Sequence, residues 1–218
     1  MKNIQSIDEF WGAVIRRDMS SAVREEDKFH NKEELIGYLI KEIKKQGKNV
    51  VIRNLDVSGI EDLSLLFDSL LDDVDNVETL DLSGWNTSGV KDISGIFYWC
   101  NSLKYINLSG WNTSDVKNMN TMFAYATRVK AIDFTGWNTC SVENMHGMFW
   151  RCESLKSLDL SGWNIDKVND MGNMFYSCSN LVDLNLSGWE TDRPIFICDM
   201  FDKCPAPYEV VDNKIVRK

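Results

Sequence analysis

Residues 80–88 read LDLSGWNTS, and close variants recur as INLSGWNTS, IDFTGWNTC, LDLSGWNID and LNLSGWETD. The tryptophan of each copy lies 26 residues after the previous one, at Trp85, Trp111, Trp137, Trp163 and Trp189. A fixed period of this length indicates a solenoid, in which each unit covers the apolar face of the unit before it. The phrase therefore predicts the architecture of most of the chain.

One repeat unit, residues 103–127, is LKYINLSGWNTSDVKNMNTMFAYAT. Alternation in its first part predicts a strand with Ile106 and Leu108 facing inward. Gly110 permits a sharp exit from that strand. Ser114 is a suitable helix N-cap, and apolar residues from Val116 onward recur at helical spacing. We therefore expect an α/β repeat, with a parallel β-sheet on one face and short helices on the other.

Several side-chain types return at the same point of each repeat. The Met-Phe pairs, such as Met122-Phe123, fit either a shared core or a ligand-binding stripe, and their strict period favours core. The tryptophan column fits a stacked internal ladder or an exposed aromatic face, and we favour the ladder. The asparagines after the tryptophans are expected to satisfy backbone groups at the turn. These are Asn86, Asn112, Asn138 and Asn164.

The two ends of the chain differ from the repeats. Residues 1–49 contain two amphipathic segments, SIDEFWGAVIRRDM and NKEELIGYLIKEIKKQ, and predict an N-terminal helical cap. Residues 50–204 form the predicted solenoid of about six coils. Residues 205–218 predict a C-terminal cap, a β-hairpin that turns at Asp212-Asn213. Caps are needed because an open solenoid end exposes core and strand edges.

The pattern LDLSGWNTSxVxxMxxMFxxCxSLxxLDLSGW resembles the BspA-like leucine-rich repeats, the roughly 26-residue repeats of bacterial surface proteins and mycoplasma lipoproteins. The similarity covers about residues 50–204. The stretch that begins NKEELIGYLIKE also resembles the helical lead-in found before such repeats. The resemblance implies a right-handed solenoid and a role in binding proteins, with adhesion to host proteins as the family's usual association.

The distribution of charged and apolar residues limits the kinds of partner and the location that we expect. The chain has a net charge of −9, and the negative charge lies in residues 51–218, which carry 14 Lys or Arg against 24 Asp or Glu. Such a surface attracts basic partners and repels phosphate backbones, so direct nucleic-acid binding is not expected. The N-terminal sequence has no apolar run long enough for a signal peptide or membrane span, and we expect a cytoplasmic protein with no membrane contact.

The chemistry-bearing residues do not form a catalytic or metal-binding pattern. Four coils have a cysteine at one repeat position, and another coil has Ala126 there. Replacement of a thiol by a methyl group indicates that these cysteines pack in the core and do not form disulfides. They are Cys100, Cys152, Cys178 and Cys204. With no CxxC motif and two histidines, we expect no zinc, no cofactor and no enzymatic activity.

Two surfaces are candidates for partner binding. The first is the outward, concave face of the sheet, which is either an inert solvated face or an acidic surface for a basic partner. Its residues are Asp81, Tyr105, Asn107, Asp133, Asp159, Asp183 and Asn185. The second follows the core Phe on the predicted helix side, where exposed aromatics either fill grooves or anchor an interface. Its residues are Tyr98, Trp99, Tyr125, Trp150 and Tyr176.

Together these features predict a non-enzymatic, intracellular protein-interaction module. A sharper hypothesis, based on size and charge, is a small acidic inhibitor of phage or mobile-element type that blocks a basic nucleic-acid-binding enzyme. The alternative is a bacterial surface or adhesin-type protein that binds host or envelope proteins. The sequence leaves the partner, the binding face and the oligomeric state open.

Overall fold

A computed structural model describes residues 28–70, 74–190, 194–211 and 214–218. The predicted first helix, residues 6–19, and the hairpin turn at residues 212–213 lie outside these ranges. Over the ranges described, no helix combines the length and apolar character needed to cross a bilayer.

The chain forms a β-solenoid with one three-residue strand per coil. The strands are β1 (Asn49–Val51), β2 (Thr79–Asp81), β3 (Tyr105–Asn107), β4 (Ala131–Asp133), β5 (Ser157–Asp159) and β6 (Asp183–Asn185). Strands β1 to β4 pair in parallel in one sheet, and β5 pairs in parallel with β6 in a second. From β2 to β6 the register advances by the 26-residue period, as the sequence predicts.

The first coil has a 3₁₀ helix at Asp68–Leu70, and the opposite side of the later coils is built from tight turns, so the predicted short α-helices are wrong. In the coil of β3, the N–H groups of Met122, Ala124 and Ala126 donate to carbonyls three residues earlier. The intervening Thr121, Phe123 and Tyr125 donate to the next coil. A helix would satisfy these donors within the segment, whereas here every second one ties neighbouring coils together. Isolated parallel bridges, such as Asn118 with Asn144, mark this second ladder.

Stacked columns of identical side chains fill the interior. Consecutive phenylalanines from Phe67 to Phe201 lie with ring centroids 5.1 to 5.7 Å apart. The indoles of Trp85, Trp111 and Trp137 also stack, and their N–H groups donate to carbonyls of the preceding coil. The methionines of the coils and the four in-register cysteines are buried beside them. The interpretation of these columns as core is confirmed.

Helix α1 (Lys32–Gln46) precedes β1 and has the predicted limits. The Asn31 side chain accepts a hydrogen bond from the Glu34 N–H at 2.9 Å, and Gly47 ends the helix with a positive φ. One face of α1 buries Leu35, Leu39 and Ile43 in the same core as the coils.

A hairpin closes the described chain, as predicted. It consists of β7 (Tyr208–Val211) and β8 (Lys214–Arg217), which pair in antiparallel fashion. The Tyr208 ring stacks on Phe201 at 6.1 Å and so extends the phenylalanine column, and its hydroxyl accepts a hydrogen bond from the Leu186 N–H.

Candidate protein-interaction surfaces

The Asp/Asn column of the sheet ends each strand. Each side-chain oxygen accepts a hydrogen bond of 2.9 to 3.1 Å from the N–H two residues later. This turn is the local structure that Asp and Asn favour. The residues that accept are Asp81, Asn107, Asp133, Asp159 and Asn185. The fold itself therefore explains why the column contains Asp or Asn.

The asparagines that follow the tryptophans make the same type of turn. Their side-chain oxygens accept hydrogen bonds of 2.9 to 3.4 Å from the N–H two residues on. The residues are Asn86, Asn112, Asn138 and Asn164. The prediction that this column satisfies turn backbone is confirmed.

The predicted concave-face residues differ in accessibility. Asp81 is fully buried and forms an ion pair with Arg53, whose Nε lies 2.7 Å from the carboxylate. Asn107 is also buried. These two therefore lie beneath the surface that a partner could contact. Tyr105, Asp133 and Asn185 are half-buried, and Asp159 and Asp183 are exposed.

Hydrogen bonding keeps the Asp159 carboxylate in its charged form. The backbone N–H of Ser161 donates to it and holds its pKa below the usual value, against a smaller opposing effect of burial. The exposed end of the second sheet therefore carries negative charge at neutral pH.

Sequence reasoning missed an opening in the sheet. Among the described residues, no backbone pairing joins β4 to β5, although β3 pairs with β4 and β5 with β6. A cavity of about 1060 Å³ lies over this part of the sheet, and its lining extends from Tyr105 on β3 to Asn185 on β6 and includes Trp137 and Trp163. The available signal was Phe134 in IDFTGWNTC, at the position where the other four copies have leucine.

The predicted helix-side aromatics form one continuous surface, which we call the aromatic strip: Tyr98, Trp99, Tyr125, Trp150 and Tyr176. Trp99 and Tyr125 stack in parallel at 5.0 Å, and Tyr98 packs edge-on against both. Tyr125 then contacts Trp150 at 5.3 Å, and Trp150 contacts Tyr176 at 5.9 Å. The structure thus joins residues that lie up to 78 positions apart in the sequence (98 to 176).

Basic side chains lie over two rings of the aromatic strip. The Arg151 guanidinium carbon is 5.4 Å from the Tyr125 ring centroid, and the Lys203 ammonium is 5.0 Å from that of Tyr176. Lys203 also donates to the Tyr176 hydroxyl at 2.8 Å, and this hydrogen bond raises the pKa of the lysine. The strip is therefore aromatic with one cationic side chain at each of two rings, and Arg151 is also paired with Glu153 at 3.1 Å.

The backbone beneath the aromatic strip does not favour bulky residues. Trp99 and Tyr125 have φ of 61° and 63°, in the left-handed region that suits Gly or Asn. The indole N–H of Trp150 is buried without a hydrogen-bond partner. Such a group costs about 1–3 kcal/mol. Local structure thus gives no reason for aromatic side chains at these three positions.

The described residues contain no group of three or more His, Cys, Asp or Glu side chains arranged to hold a metal ion. The in-register cysteine thiols are free, and burial raises the pKa values of Cys100 and Cys152 far above those of reactive thiols.

A parallel β-solenoid with a 26-residue period defines a repeat protein, whose coils present side chains at regular positions on an extended surface. The family described as "Mycoplasma protein of unknown function, DUF285" matches residues 38–131, 61–189 and 106–213. The chain belongs to this family. No curated protein and no solved structure matches it significantly.

Proposed function

We propose that this chain is a non-enzymatic protein-interaction module that binds a protein partner through the aromatic strip. The observation that carries the proposal is the contiguity of five aromatic side chains from four coils, with Trp99 still 43% exposed. Tryptophan, tyrosine and arginine are the residues that most often dominate binding energy at protein interfaces.

The energetics of the aromatic strip support a binding role over a packing role. Non-glycine residues held in the left-handed region cost of order 1–3 kcal/mol. The same repeat position is left-handed at Arg151, Ser177 and Lys203, so this conformation belongs to the repeat and does not itself require aromatic side chains. Gly or Asn would relieve that strain at Trp99 and Tyr125, and Phe would fill the site of Trp150 without an unpaired N–H. An interface that uses the large rings compensates for these costs.

We also propose that the solenoid is of the BspA-like leucine-rich-repeat type, with a right-handed course and an N-terminal helical cap. The 26-residue period, the strand-and-turn coil and helix α1 packed beside β1 support this assignment. On this basis the family-typical role is protein binding, at a cell surface or inside the cell.

Charge suggests the class of partner. With a net charge of −9, the chain attracts proteins with basic surfaces, and an intracellular acidic inhibitor of a basic nucleic-acid-binding enzyme is one such arrangement. The exposed Asp159 and Asp183 support a basic partner on the sheet side. The aromatic strip instead combines rings with Arg151 and Lys203, and its contacts are expected to be less sensitive to salt.

The test compares immobilised wild-type protein with a Trp99→Asn, Tyr125→Asn double variant in pull-downs from mycoplasma lysate that includes membranes. Asparagine removes the rings and tolerates the left-handed backbone, so folding is preserved. A protein that the wild type retains is then purified for affinity measurement. We expect the double variant to bind it at least about 30-fold more weakly, since a hot-spot aromatic contributes about 2 kcal/mol or more.

The matched control is Val182→Ala, which removes an exposed apolar side chain outside the aromatic strip. It is expected to leave the affinity within about threefold, as typical interface-neutral positions do. Equal binding by the wild type and the double variant would contradict the proposal. Repeating the measurement at low and moderate salt distinguishes a contact dominated by charge, whose affinity falls as salt rises, from one made mainly by the rings.

A further inference from the structure

Successive rings of the aromatic strip lie one coil apart. The ring centroids of Trp99 and Tyr125 are 5.0 Å apart, those of Tyr125 and Trp150 5.3 Å, and those of Trp150 and Tyr176 5.9 Å. The solenoid fixes this interval, because the phenylalanines beneath the same coils stack at 5.3 to 5.7 Å. A partner that uses all of these rings must therefore present its own contacts at the same interval.

Among the regular backbone conformations, the α-helix matches this interval. A helix rises about 5.4 Å per turn. Apolar residues at positions i, i+4, i+7 and i+11 place one side chain per turn on one face of the helix. Side chains on one face of a β-strand recur about every 6.6 Å, and those of polyproline II about every 9 Å. Over the length of the aromatic strip a strand therefore loses register, whereas a helix keeps it.

The exposed apolar surface continues one coil further, to Leu65. This side chain is 45% exposed, and its φ of 52° lies in the left-handed region. Its Cδ2 methyl group is 2.6 Å from the point that a Cβ on Gly95 would occupy, and that point is 3.6 Å from the Cβ of Tyr98. Leu65 therefore lies over the bare backbone of Gly95 beside Tyr98, and the apolar surface spans five coils.

Helix α1 of a second copy does not fit as the occupant. Its apolar residues Leu35, Leu39 and Ile43 are buried in the core of their own chain. In the part of the chain that the structure describes, α1 is the one α-helix. The described residues thus offer no apolar helix face for the aromatic strip of another copy, and the helix belongs to a partner protein.

We propose that the aromatic strip, extended by Leu65, binds an amphipathic α-helix of a partner protein with apolar residues at i, i+4, i+7 and i+11. This inference deepens the proposed function and rests on it. The helix lies along the line of rings, so that each apolar side chain packs against the ring edges of successive coils and the polar face stays in water. Helices that dock an apolar face on a hydrophobic surface use the same residue spacing.

The probe is the blocked peptide QLAEQLEKLAKQLAQ, in which the four leucines have this helical spacing. The control, QALELQLELAKQKAQ, has the same composition with leucine at alternate positions, as in a strand. Both are titrated into the full chain. We expect the helical pattern to bind at least about tenfold more tightly. Cα chemical shifts of the labelled peptide should show a gain of helix on binding, because a free peptide of this length is marginally helical.

Three variants locate the contact. The Trp99→Asn, Tyr125→Asn double variant should bind the helical peptide at least about 30-fold more weakly. Leu65→Asn should weaken binding about fivefold, since it removes a partly exposed apolar side chain and asparagine tolerates the left-handed backbone. Val182→Ala, outside the aromatic strip, should leave the affinity within about twofold.

The inference of a helix is overturned if neither peptide binds, if both bind equally, if the strand pattern binds more tightly, or if the helical peptide binds without gaining helix. Unchanged affinity in Leu65→Asn would overturn the extension to that residue. Self-association of the chain that the double variant abolishes would also overturn the inference, because the occupant would be a second copy.

Failure of this inference and failure of the proposed function give different results. If the double variant loses the protein retained from lysate while the helical peptide fails to bind, the aromatic strip binds a partner of another conformation, and the inference alone is wrong. If neither that protein nor the peptide distinguishes wild type from the double variant, both are wrong.

Discussion

Replacing Phe134 with leucine is expected to make the protein more stable, although it removes a large apolar side chain. Leucine is the residue at this position in the other four copies, and at Leu82, Leu108 and Leu160 the strand pairs with the strand of the next coil. With the ring gone, β4 and β5 can approach and pair in the same register as their neighbours.

The magnitude follows from the intact interface between β3 and β4. Backbone bonds there include Lys130 N–H to the Lys104 carbonyl at 2.8 Å, and Leu108 and Gly110 N–H to the next coil at 3.0 Å. Three equivalent bonds at a net 0.5–1.5 kcal/mol each would contribute about 1.5–4.5 kcal/mol. Loss of the partly buried ring costs about 1 kcal/mol. We expect a net gain of about 2 kcal/mol.

The assay is urea unfolding followed by tryptophan fluorescence, with the thermal midpoint as a second measure. A gain of about 2 kcal/mol corresponds to an increase of roughly 4–8 °C for a chain of this size. The matched control is Phe149→Leu, the same chemical change at a fully buried position in the phenylalanine column. It should destabilise the protein by about 1 kcal/mol or more, because it leaves a cavity.

The two Phe→Leu variants thus have opposite predicted signs. If Phe134→Leu destabilises the protein as much as Phe149→Leu does, the ring fills the core rather than wedging the coils apart. The explanation of the opening would then be wrong.

Three further predictions concern other parts of the solenoid. Arg53→Met should lower the free energy of unfolding by about 3 kcal/mol, because it leaves Asp81 as a buried unpaired charge. Adding Asp81→Asn should recover most of this loss in the same urea assay. If it does not, the ion pair is not the cause of the loss. Thr121→Asn should raise the free energy of unfolding by about 0.5–1 kcal/mol. Thr121 has φ of 51°, and asparagine tolerates this left-handed region better than a β-branched residue does. A lower thermal midpoint for the variant would refute this prediction. With a chromogenic thiol reagent at pH 8, the exposed thiols of Cys140 and Cys198 should react in the native state. Cys198 should react more slowly than Cys140, because its hydrogen bond with Asp199 raises its pKa. Rapid labelling of the buried thiols before unfolding would contradict their placement in the core.

Helix α1 and the stacked columns could be predicted because their signals are local or strictly periodic. Asn31 and Gly47 mark the helix ends through their own backbone preferences. Periodicity similarly assigns the phenylalanines and tryptophans to the core, since a side chain that recurs at the period of the fold must meet its own copies in neighbouring coils.

The predicted helices failed because apolar spacing does not specify where backbone N–H groups donate. Val116 to Ala126 has the apolar pattern of a helix, yet alternate N–H groups of this segment bond to the next coil. The neighbouring coil supplies acceptors at the correct distance, and that information is absent from the segment itself.

The accessibility and continuity of the candidate sites also depend on contacts between coils, which the sequence does not specify. Asp81 and Asp159 hold equivalent repeat positions, but the first is buried with Arg53 and the second is exposed, because different neighbours cover them. Trp99 and Trp150 occupy adjacent repeat positions on different coils, and stacking of those coils connects them through Tyr125.

The sequence by itself determined the period, the inward-facing columns and the residues of each turn, since these depend on side-chain size and local backbone preference repeated 26 residues apart. Tertiary structure decided which equivalent residues stay exposed, where the aromatic strip becomes continuous and where the sheet opens. The physical reason is that each of these depends on contacts between coils: one Phe134 ring that differs little from leucine in hydrophobicity is large enough to separate two strands.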